Sequence, residues 1–193
     1  MVGEIRDKET ADIGVRAALV GRLFLSTLHT NDSTGAVARL LDMGVEPFLL
    51  ASTLVMVLAQ RLVRRICMAC RESFDGDATR VAAVRARPDF ERTLGVLRSE
   101  GVLGVADDLS GGVRLFRGRG CLQCAGSGFR GRVGIFEVFQ IDDDIRRMIM
   151  ERRDGAVIRE AAVTAGMKTM FQDGLAKALL GDTTLEEVFR VAL

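Results

Sequence analysis

Tryptophan and tyrosine are absent from this 193-residue chain, histidine occurs once and proline twice. Without Trp or Tyr, and with aromatics at 5%, the chain is poor in the platforms on which binders of single-stranded nucleic acid stack their bases. An excess of one charge is missing as well. The 27 basic and 26 acidic residues leave a net charge of +1, so no global field draws the chain to nucleic acid or anionic lipid, and partners must be recognised by local surfaces. Long apolar runs are lacking too. The longest uncharged one, Pro47 to Gln60, falls well short of the roughly twenty residues a membrane span needs, and its pattern predicts a buried core helix. The opening Met1-Val2-Gly3-Glu4-Ile5-Arg6-Asp7 has neither the form of a signal peptide nor that of a transit sequence, which predicts a reducing cytosol. A hydrophobic share of 48% is ample for a core, and the length suggests one compact domain or one and a half.

What is present begins with four cysteines, standing as Cys67-x-x-Cys70 and Cys121-x-x-Cys124. Two residues between cysteines let both sulfurs of a tight turn face one ion, and a second such turn completes a tetrahedron, the geometry preferred by structural zinc. Both pairs lie in basic stretches, Arg64-Arg65-Ile66-Cys67 and Gly118-Arg119-Gly120-Cys121. Zinc is therefore the leading expectation. Two disulfides, free buried thiols, a redox pair and an iron–sulfur cluster are the alternatives.

The first sixty-five residues alternate helix-like and strand-like pieces. Asp7 is placed to cap a helix running through Thr10, Ile13, Val15, Ala18 and Leu19, and Gly21 ends it before the apolar run Leu23-Phe24-Leu25. Ser33 or Thr34 starts a second helix, Gly44 stops it, and Pro47 sits where a first helical turn tolerates it. This alternation predicts an α/β fold with a parallel sheet flanked by helices. From Arg71 to Arg119 charged helical stretches, Ala78 to Arg85 and Phe90 to Leu103, are broken by Pro88 and by Gly111-Gly112. That pattern predicts an insertion closed at its base by the metal. An extended apolar piece, Val133 to Phe139, then leads into helices over 142–152, 154–165, 169–180 and 184–192, whose apolar residues recur at three and four and predict a small helical bundle.

Two polar clusters carry candidate chemistry. Glu4 stands where a strand ends and a helix is about to begin, the edge that faces the ligand crevice in open parallel sheets. A carboxylate there can hold Mg²⁺ or orient a water, and the neighbouring Arg6 can meet phosphate; on these residues alone an ordinary exposed Glu-Arg-Asp turn is the favoured reading. Ser26-Thr27-Leu28-His29-Thr30-Asn31 ends the next apolar run with five polar or ionisable groups in six positions, and His29 is the single histidine. A lone histidine is more often structural, but one beside hydroxyls and one strand from a carboxylate is placed to sense a terminal phosphate.

At this point the residues resemble a family. Val2-Gly3-Glu4-Ile5-Arg6-Asp7-x-Glu9-Thr10-Ala11 is similar to the Walker B region of the type II secretion and type IV pilus assembly ATPases, and Ser26 to Asn31 is similar to their histidine box. Ala59-Gln60-Arg61-Leu62-Val63-Arg64, the two cysteine pairs, Gly131-Arg132-x-Gly134-Ile135-x-Glu137 and Gly181-x-Thr183-x-x-Glu186 follow in the order of that family. The cysteine pairs resemble those of the assembly and secretion branch, whereas pilus retraction motors lack such a module. The resemblance covers nearly the whole chain. It implies a RecA-like fold, a homo-hexamer, ATP and Mg²⁺ as nucleotide and ion, and an inner-membrane platform protein as the partner moved by hydrolysis. It further implies a cytoplasmic motor peripheral on the inner face of the bacterial inner membrane. By position, Glu4 becomes the Walker B carboxylate, Gly3, Arg6 and Thr27 the nucleotide-binding residues, and Thr27 with His29 the readers of the γ-phosphate.

One departure qualifies this. No Gly-x-x-x-x-Gly-Lys followed by Ser or Thr occurs, and such a loop is what cradles phosphates and reaches the β and γ groups. Only Lys8, Lys168 and Lys177 are present, and Gly166-Met167-Lys168-Thr169 lacks the second glycine. The expectation is the C-terminal half of a motor domain, inactive alone: residues 1–66 as part of the RecA-like core, 67–124 as the four-cysteine insertion, and 125–193 as a strand and helical subdomain. The alternative is a zinc-containing adaptor without enzymatic activity that docks on the platform or on intact motor subunits. Arg64, Arg65, Arg71, Arg117, Arg119, Arg130 and Arg132 flank the cysteines and allow a nucleic-acid ribbon, but the scarcity of aromatics and the balanced charge count against it, and no nucleic acid is expected.

Overall fold

In the computed structural model the described residues are 1–76, 78–107, 109 and 113–192, the side chains of 78–80 excepted; the Gly111-Gly112 break lies outside them. The helices are α1 (Lys8–Leu19), α2 (Gly35–Asp42), α3 (Pro47–Thr53), α4 (Ala78–Arg85), α5 (Phe90–Ser99), α6 (Asp143–Met150), α7 (Gly155–Thr164), α8 (Met170–Leu179) and α9 (Leu185–Ala192). The strands are β1 (Met56–Ile66), β2 (Arg71–Gly76), β3 (Val113–Gly118) and β4 (Phe129–Gln140), with β1 paired to β4 and β2 to β3. Among the described residues no helix is long and apolar enough to cross a membrane. The chain divides into two compact units: residues 1–59 with 137–167, and residues 60–136 with 168–193.

In the first unit the Asp7 carboxylate accepts the Thr10 amide at 2.8 Å and starts α1, and Gly21 (φ +78°) takes the left-handed conformation that ends it. Helix α2 starts after Thr34, one of the two expected positions, but not with the expected kind of cap. Thr34 is the N-cap residue but makes no side-chain cap bond, and the Asp32 carboxylate instead accepts the Gly35 amide at 2.7 Å. Pro47 begins α3, and α3 packs on α1, α2 and α6. Val37, Leu40, Leu50, Phe139, Ile145, Ile149 and Ile158 bury their side chains in this core.

The single core helix expected over Pro47 to Gln60 is corrected here. Helix α3 stops at Thr53, Leu54 is already extended (φ −74°, ψ 124°), and β1 runs from Met56. Ser52 and Thr53 both donate their hydroxyls back to the Leu49 carbonyl, at 2.9 and 2.7 Å, where the helix ends, and the Val55/Val57 pair beyond favours the pleated conformation. Phe48, Val55, Met56 and Leu58 are exposed and only Leu50 and Ala51 are buried, so this apolar run is not a core segment throughout. The run Leu23-Phe24-Leu25 is likewise not an assigned strand. It lies in an extended segment joined to residues 2–5 by two backbone bonds, Val2 N–H to Leu25 O at 3.1 Å and Ile5 N–H to Thr27 O at 2.9 Å. A parallel sheet is therefore not assembled from assigned strands among the described residues.

In the second unit β2 and β3 are antiparallel, with Arg71 opposite Gly118 and Gly76 opposite Val113, so the insertion leaves and returns side by side. Its core gathers Leu94, Leu97, Leu115, Phe171, Leu175 and Val188, with α8 packed on α5, α9 and β3. A capping box, Thr169 with Gln172, opens α8. At the base of the insertion a Cβ on Gly118 would stand 2.0 Å from the Gly128 carbonyl oxygen, so backbone meets backbone there and only glycine fits. The four C-terminal helices match their expected positions with shorter ends, but α6 and α7 belong to the first unit and α8 and α9 to the second rather than to one bundle.

Candidate functional site

The two cysteine turns meet in the second unit. All four Sγ atoms lie within 4.8 Å of one another, with Cys67 to Cys121 and Cys70 to Cys124 at 3.9 Å and Cys121 to Cys124 at 3.8 Å. Disulfide sulfurs would stand about 2.05 Å apart, and all four cysteines are free. A tetrahedron with metal–sulfur bonds of about 2.3 Å has edges of about 3.8 Å, so the donor set has the size of a metal site. The backbone builds it: the Cys67 amide donates to the Gly128 carbonyl at 2.9 Å, and the Cys70 amide closes its turn on the Cys67 carbonyl at 3.2 Å. A single 3-10 turn, Leu122–Cys124, folds the second pair. The Cys121 and Gly128 amides both point at Cys124 Sγ, at 3.2 and 3.3 Å. The Cys121 amide chiefly, against the opposing effect of burial and with help from Gly128, holds the Cys124 thiol down at about 6, while burial pushes Cys70 up to about 12. Cys124 is thus ready as a thiolate, and the buried Cys70 needs a cation to lose its proton.

The second candidate lies in the first unit. Glu4 Oε2 accepts Arg6 Nε–H at 2.7 Å, and Glu4 Oε1 stands 2.9 Å from His29 Nε2. Thr27 Oγ1 donates to the Gly3 carbonyl at 2.7 Å. The structure therefore gathers Gly3, Glu4, Arg6, Thr27 and His29 at neighbouring positions of two extended segments. Glu4 is largely covered (19% exposed), whereas Arg6 and His29 are 77% and 87% exposed. A sheltered carboxylate with an arginine and an imidazole at its rim offers one group for a cation and two for an anion. Ser26 contributes nothing comparable: its oxygen is buried and without a hydrogen-bond partner among the described residues.

Two buried glutamates were given no role by the sequence reading, which named Glu137 within a motif and Glu187 not at all. Glu137, 1% exposed, accepts the Ser33 hydroxyl at 2.6 Å, the Ser33 amide at 3.1 Å and both nitrogens of the Arg159 fork at 3.0 and 3.1 Å. Arg159 also reaches Asp32 at 3.3 Å, so β4 and α7 hold Asp32 and Ser33, which lead into α2 three and four residues after His29. Burial acts to raise the Glu137 pKa, but Arg159 and Ser33 outweigh it and leave it below the ordinary glutamate value. In the second unit Glu187, 2% exposed, accepts Arg64 N–H at 2.9 Å, Arg64 Nη2 at 2.8 Å and the Arg190 fork at 2.8 and 3.1 Å. Against the opposing effect of burial, Arg190 and Arg64 bring it down to about 2. The available signal was an acid at an inward position of an apolar element, as Glu137 is within Val133 to Phe139.

With this geometry in view, comparison with known proteins is direct. The family model described as "Type II/IV secretion system protein" matches residues 1–190. The type IV pilus assembly ATPase PilB of Thermus thermophilus is 47% identical over 97% of this chain and 19% of its own length. The type II secretion system protein HxcR of Pseudomonas aeruginosa is 46% identical over 99% of this chain and 33% of its own. The chain thus spans about a fifth to a third of the length of these curated relatives. Among solved structures, the pilus retraction motor PilT with bound ADP superposes with a TM-score of 0.57 at 21% identity, over 98% of this chain and 38% of that one. The ATPase DotB of Legionella pneumophila gives 0.58 at 17%, over 99% and 37%. These structures share an α/β fold with it. Since the family model covers almost every residue and relatives near half identity align along nearly all of it, this chain belongs to the type II/IV secretion system protein family.

Proposed function

We propose that this chain is the C-terminal portion of a hexameric ATPase that powers type II secretion or type IV pilus assembly. In the intact motor Glu4 is the carboxylate that holds Mg²⁺ through water or orients the attacking water, and Thr27 and His29 read the γ-phosphate, with Gly3 and Arg6 beside the nucleotide. Residues 2–5 and 22–28 then belong to one edge of a RecA-like sheet. The observation that carries this reading is the convergence of Glu4, His29 and Arg6 within 2.9 Å contacts, in a chain matched along 1–190 by the secretion family. The same convergence favours the motor over an adaptor, which has no use for a carboxylate held between an arginine and an imidazole.

Cys67, Cys70, Cys121 and Cys124 are the ligands of a structural zinc, which when bound neutralises part of the thiolate charge and locks the two turns together. The motor works on the cytoplasmic face of the inner membrane, where its partner is the platform protein. Its functional division follows 1–66, 67–124 and 125–193. Lacking a phosphate-cradling loop, the 193-residue chain alone hydrolyses no ATP.

Three measurements test this. Elemental analysis of protein purified without chelator is expected to give about one zinc per chain; iron, or a small fraction of that amount, overturns the metal assignment. The isolated chain is expected to show no turnover, and turnover that survives repurification and is lost on Glu4→Gln would overturn its inactivity. In the intact motor, His29→Ala is expected to lower turnover at saturating ATP about tenfold or more, a barrier increase of roughly 1.4 kcal/mol, with little change in nucleotide affinity. Normal turnover per folded hexamer removes His29 from the site.

A further inference from the structure

Residues 60–71 and 113–132, which carry the two cysteine turns, contain nine arginines and not one aspartate or glutamate. All nine are exposed. Three find acids from elsewhere in the unit: Arg64 meets Glu187 at 2.8 Å, Arg117 meets Glu72 at 2.8 Å and Arg65 meets Asp182 at 3.7 Å. A four-thiolate zinc bound there would carry a net charge of −2 and offset two more, which would still leave four positive charges uncompensated. Arg61, Arg114, Arg119 and Arg132 have no ion-pair partner among the described residues. The arginines border the turns closely: Arg119 N–H donates to the Cys70 carbonyl at 3.0 Å, and Arg130 Nη1 reaches Gln123 at 3.2 Å. Arg130 and Arg132 flank Gly131, whose left-handed backbone (φ +76°) interrupts the alternation of β4, and both are exposed. The tips of both turns carry a large aliphatic side chain in water, Met68 at 56% exposure and Leu122 at 101%.

We propose that this face docks on an anionic membrane surface, with Arg119, Arg130 and Arg132 meeting lipid phosphates while Met68 and Leu122 enter the headgroup layer. Guanidinium forks match phosphate oxygens in pairs, and exposed aliphatic tips ringed by cations suit the boundary between headgroups and acyl chains. Nucleic acid is disfavoured because the face has no open aromatic ring: Phe129 is already covered by the Arg64 guanidinium at 4.2 Å. The overall charge of +1 conceals the patch because the other unit is acidic. The inference deepens the membrane-peripheral placement proposed above and rests on it for the nature of the surface. Its test requires no ATP turnover, so its failure leaves the nucleotide and zinc assignments standing.

The test is vesicle sedimentation of the 193-residue chain at about 0.1 M salt. Vesicles containing phosphatidylglycerol are expected to bind it and phosphatidylcholine vesicles to leave it in solution, with binding weakening steeply as salt rises. Each arginine at such a surface contributes about fivefold, so R119E/R130E/R132E is expected to weaken binding by a hundredfold or more. M68S/L122S is expected to weaken it severalfold. The matched reversal R16E/R22E/R39E, on exposed positions of the first unit, is expected to bind like the parent. Metal content and circular dichroism confirm that each variant is folded. Equal binding to both vesicle types, or a folded R119E/R130E/R132E protein that binds like the parent, overturns the proposal. Binding to polyglutamate without binding to vesicles also overturns it and assigns the face to an acidic protein.

Discussion

The two units of this molecule carry opposite charge. The first holds 14 acidic and 10 basic residues and the second 12 acidic and 17 basic, net −4 against +5. Their chemistry is divided the same way, with the Glu4–His29 pair in the acidic unit and the four thiols in the basic one. Yet both use one internal device: a glutamate no more than 2% exposed, clamped by arginine and tied to a neighbouring backbone amide. A buried carboxylate of this kind survives only when its oxygens are satisfied by cations and donors. The comparison teaches that an average charge near zero says little about surfaces, and that units of different character can be locked by the same interaction.

The largest break in the comparison is expected from the thiols, since the basic unit alone depends on them. Structural zinc sites bind with roughly 10–16 kcal/mol, so Cys121→Ser or chelation should remove amide protection from residues 67–76 and 113–128, measured by hydrogen exchange, while α1, α3 and α6 keep theirs. Uniform loss along the chain would contradict the independence of the units.

Core truncations come next. Phe139 and Leu97 are both fully buried, one in each core. Phe139→Ala should cost about 3–5 kcal/mol and Leu97→Ala about 2–5 kcal/mol, each lowering the denaturant midpoint of its own unit. A single transition shifted equally by both variants would erase the division.

The clamped glutamates sharpen the likeness. Glu187→Gln and Glu137→Gln should each cost about 2–3 kcal/mol at neutral pH, because each leaves arginines facing an uncharged partner. Glu187 is held at about 2, below its ordinary 4.5, so in acid the unfolded chain takes up the proton first. Its contribution is complete above about pH 4.5 and is lost as pH falls towards 2. Urea titrations should show the parent weakening across that window and Glu187→Gln weakening less; parallel losses would remove Glu187 as the cause. The smallest effect belongs to Asp144→Ala, whose ion pair with Arg147 is 72% and 66% exposed and should contribute no more than about 0.5 kcal/mol by thermal melting.

Much of this was legible in the residues. The caps at Asp7, Asp142 and Asp154, the glycine stop at Gly21 and the start of α3 at Pro47 depend on contacts within one turn, so local composition announces them. The Cys-x-x-Cys spacing announces two turns, and the gathering of Glu4 and His29 was foreseen from their places after two apolar runs. The division of Pro47 to Gln60 into helix and strand was not, because an unbroken apolar run suits either and only its partner strand β4 arbitrates. The Asp32 cap on α2 was missed because two hydroxyl residues beside it offered equally plausible caps.

By itself, then, the sequence determined most helix starts, the turns and which four residues could hold a metal, since each follows from chemistry within a few residues. Tertiary structure alone decided that sulfurs 54 residues apart stand 3.9 Å from each other, that Ser33 and Glu137 meet across 104 residues, and that arginines spread over two segments flank one four-cysteine cluster. Those outcomes depend on how strands pair and which faces are buried. Contacts at such separations are selected by the burial and pairing of the whole chain, and no short stretch of residues encodes them.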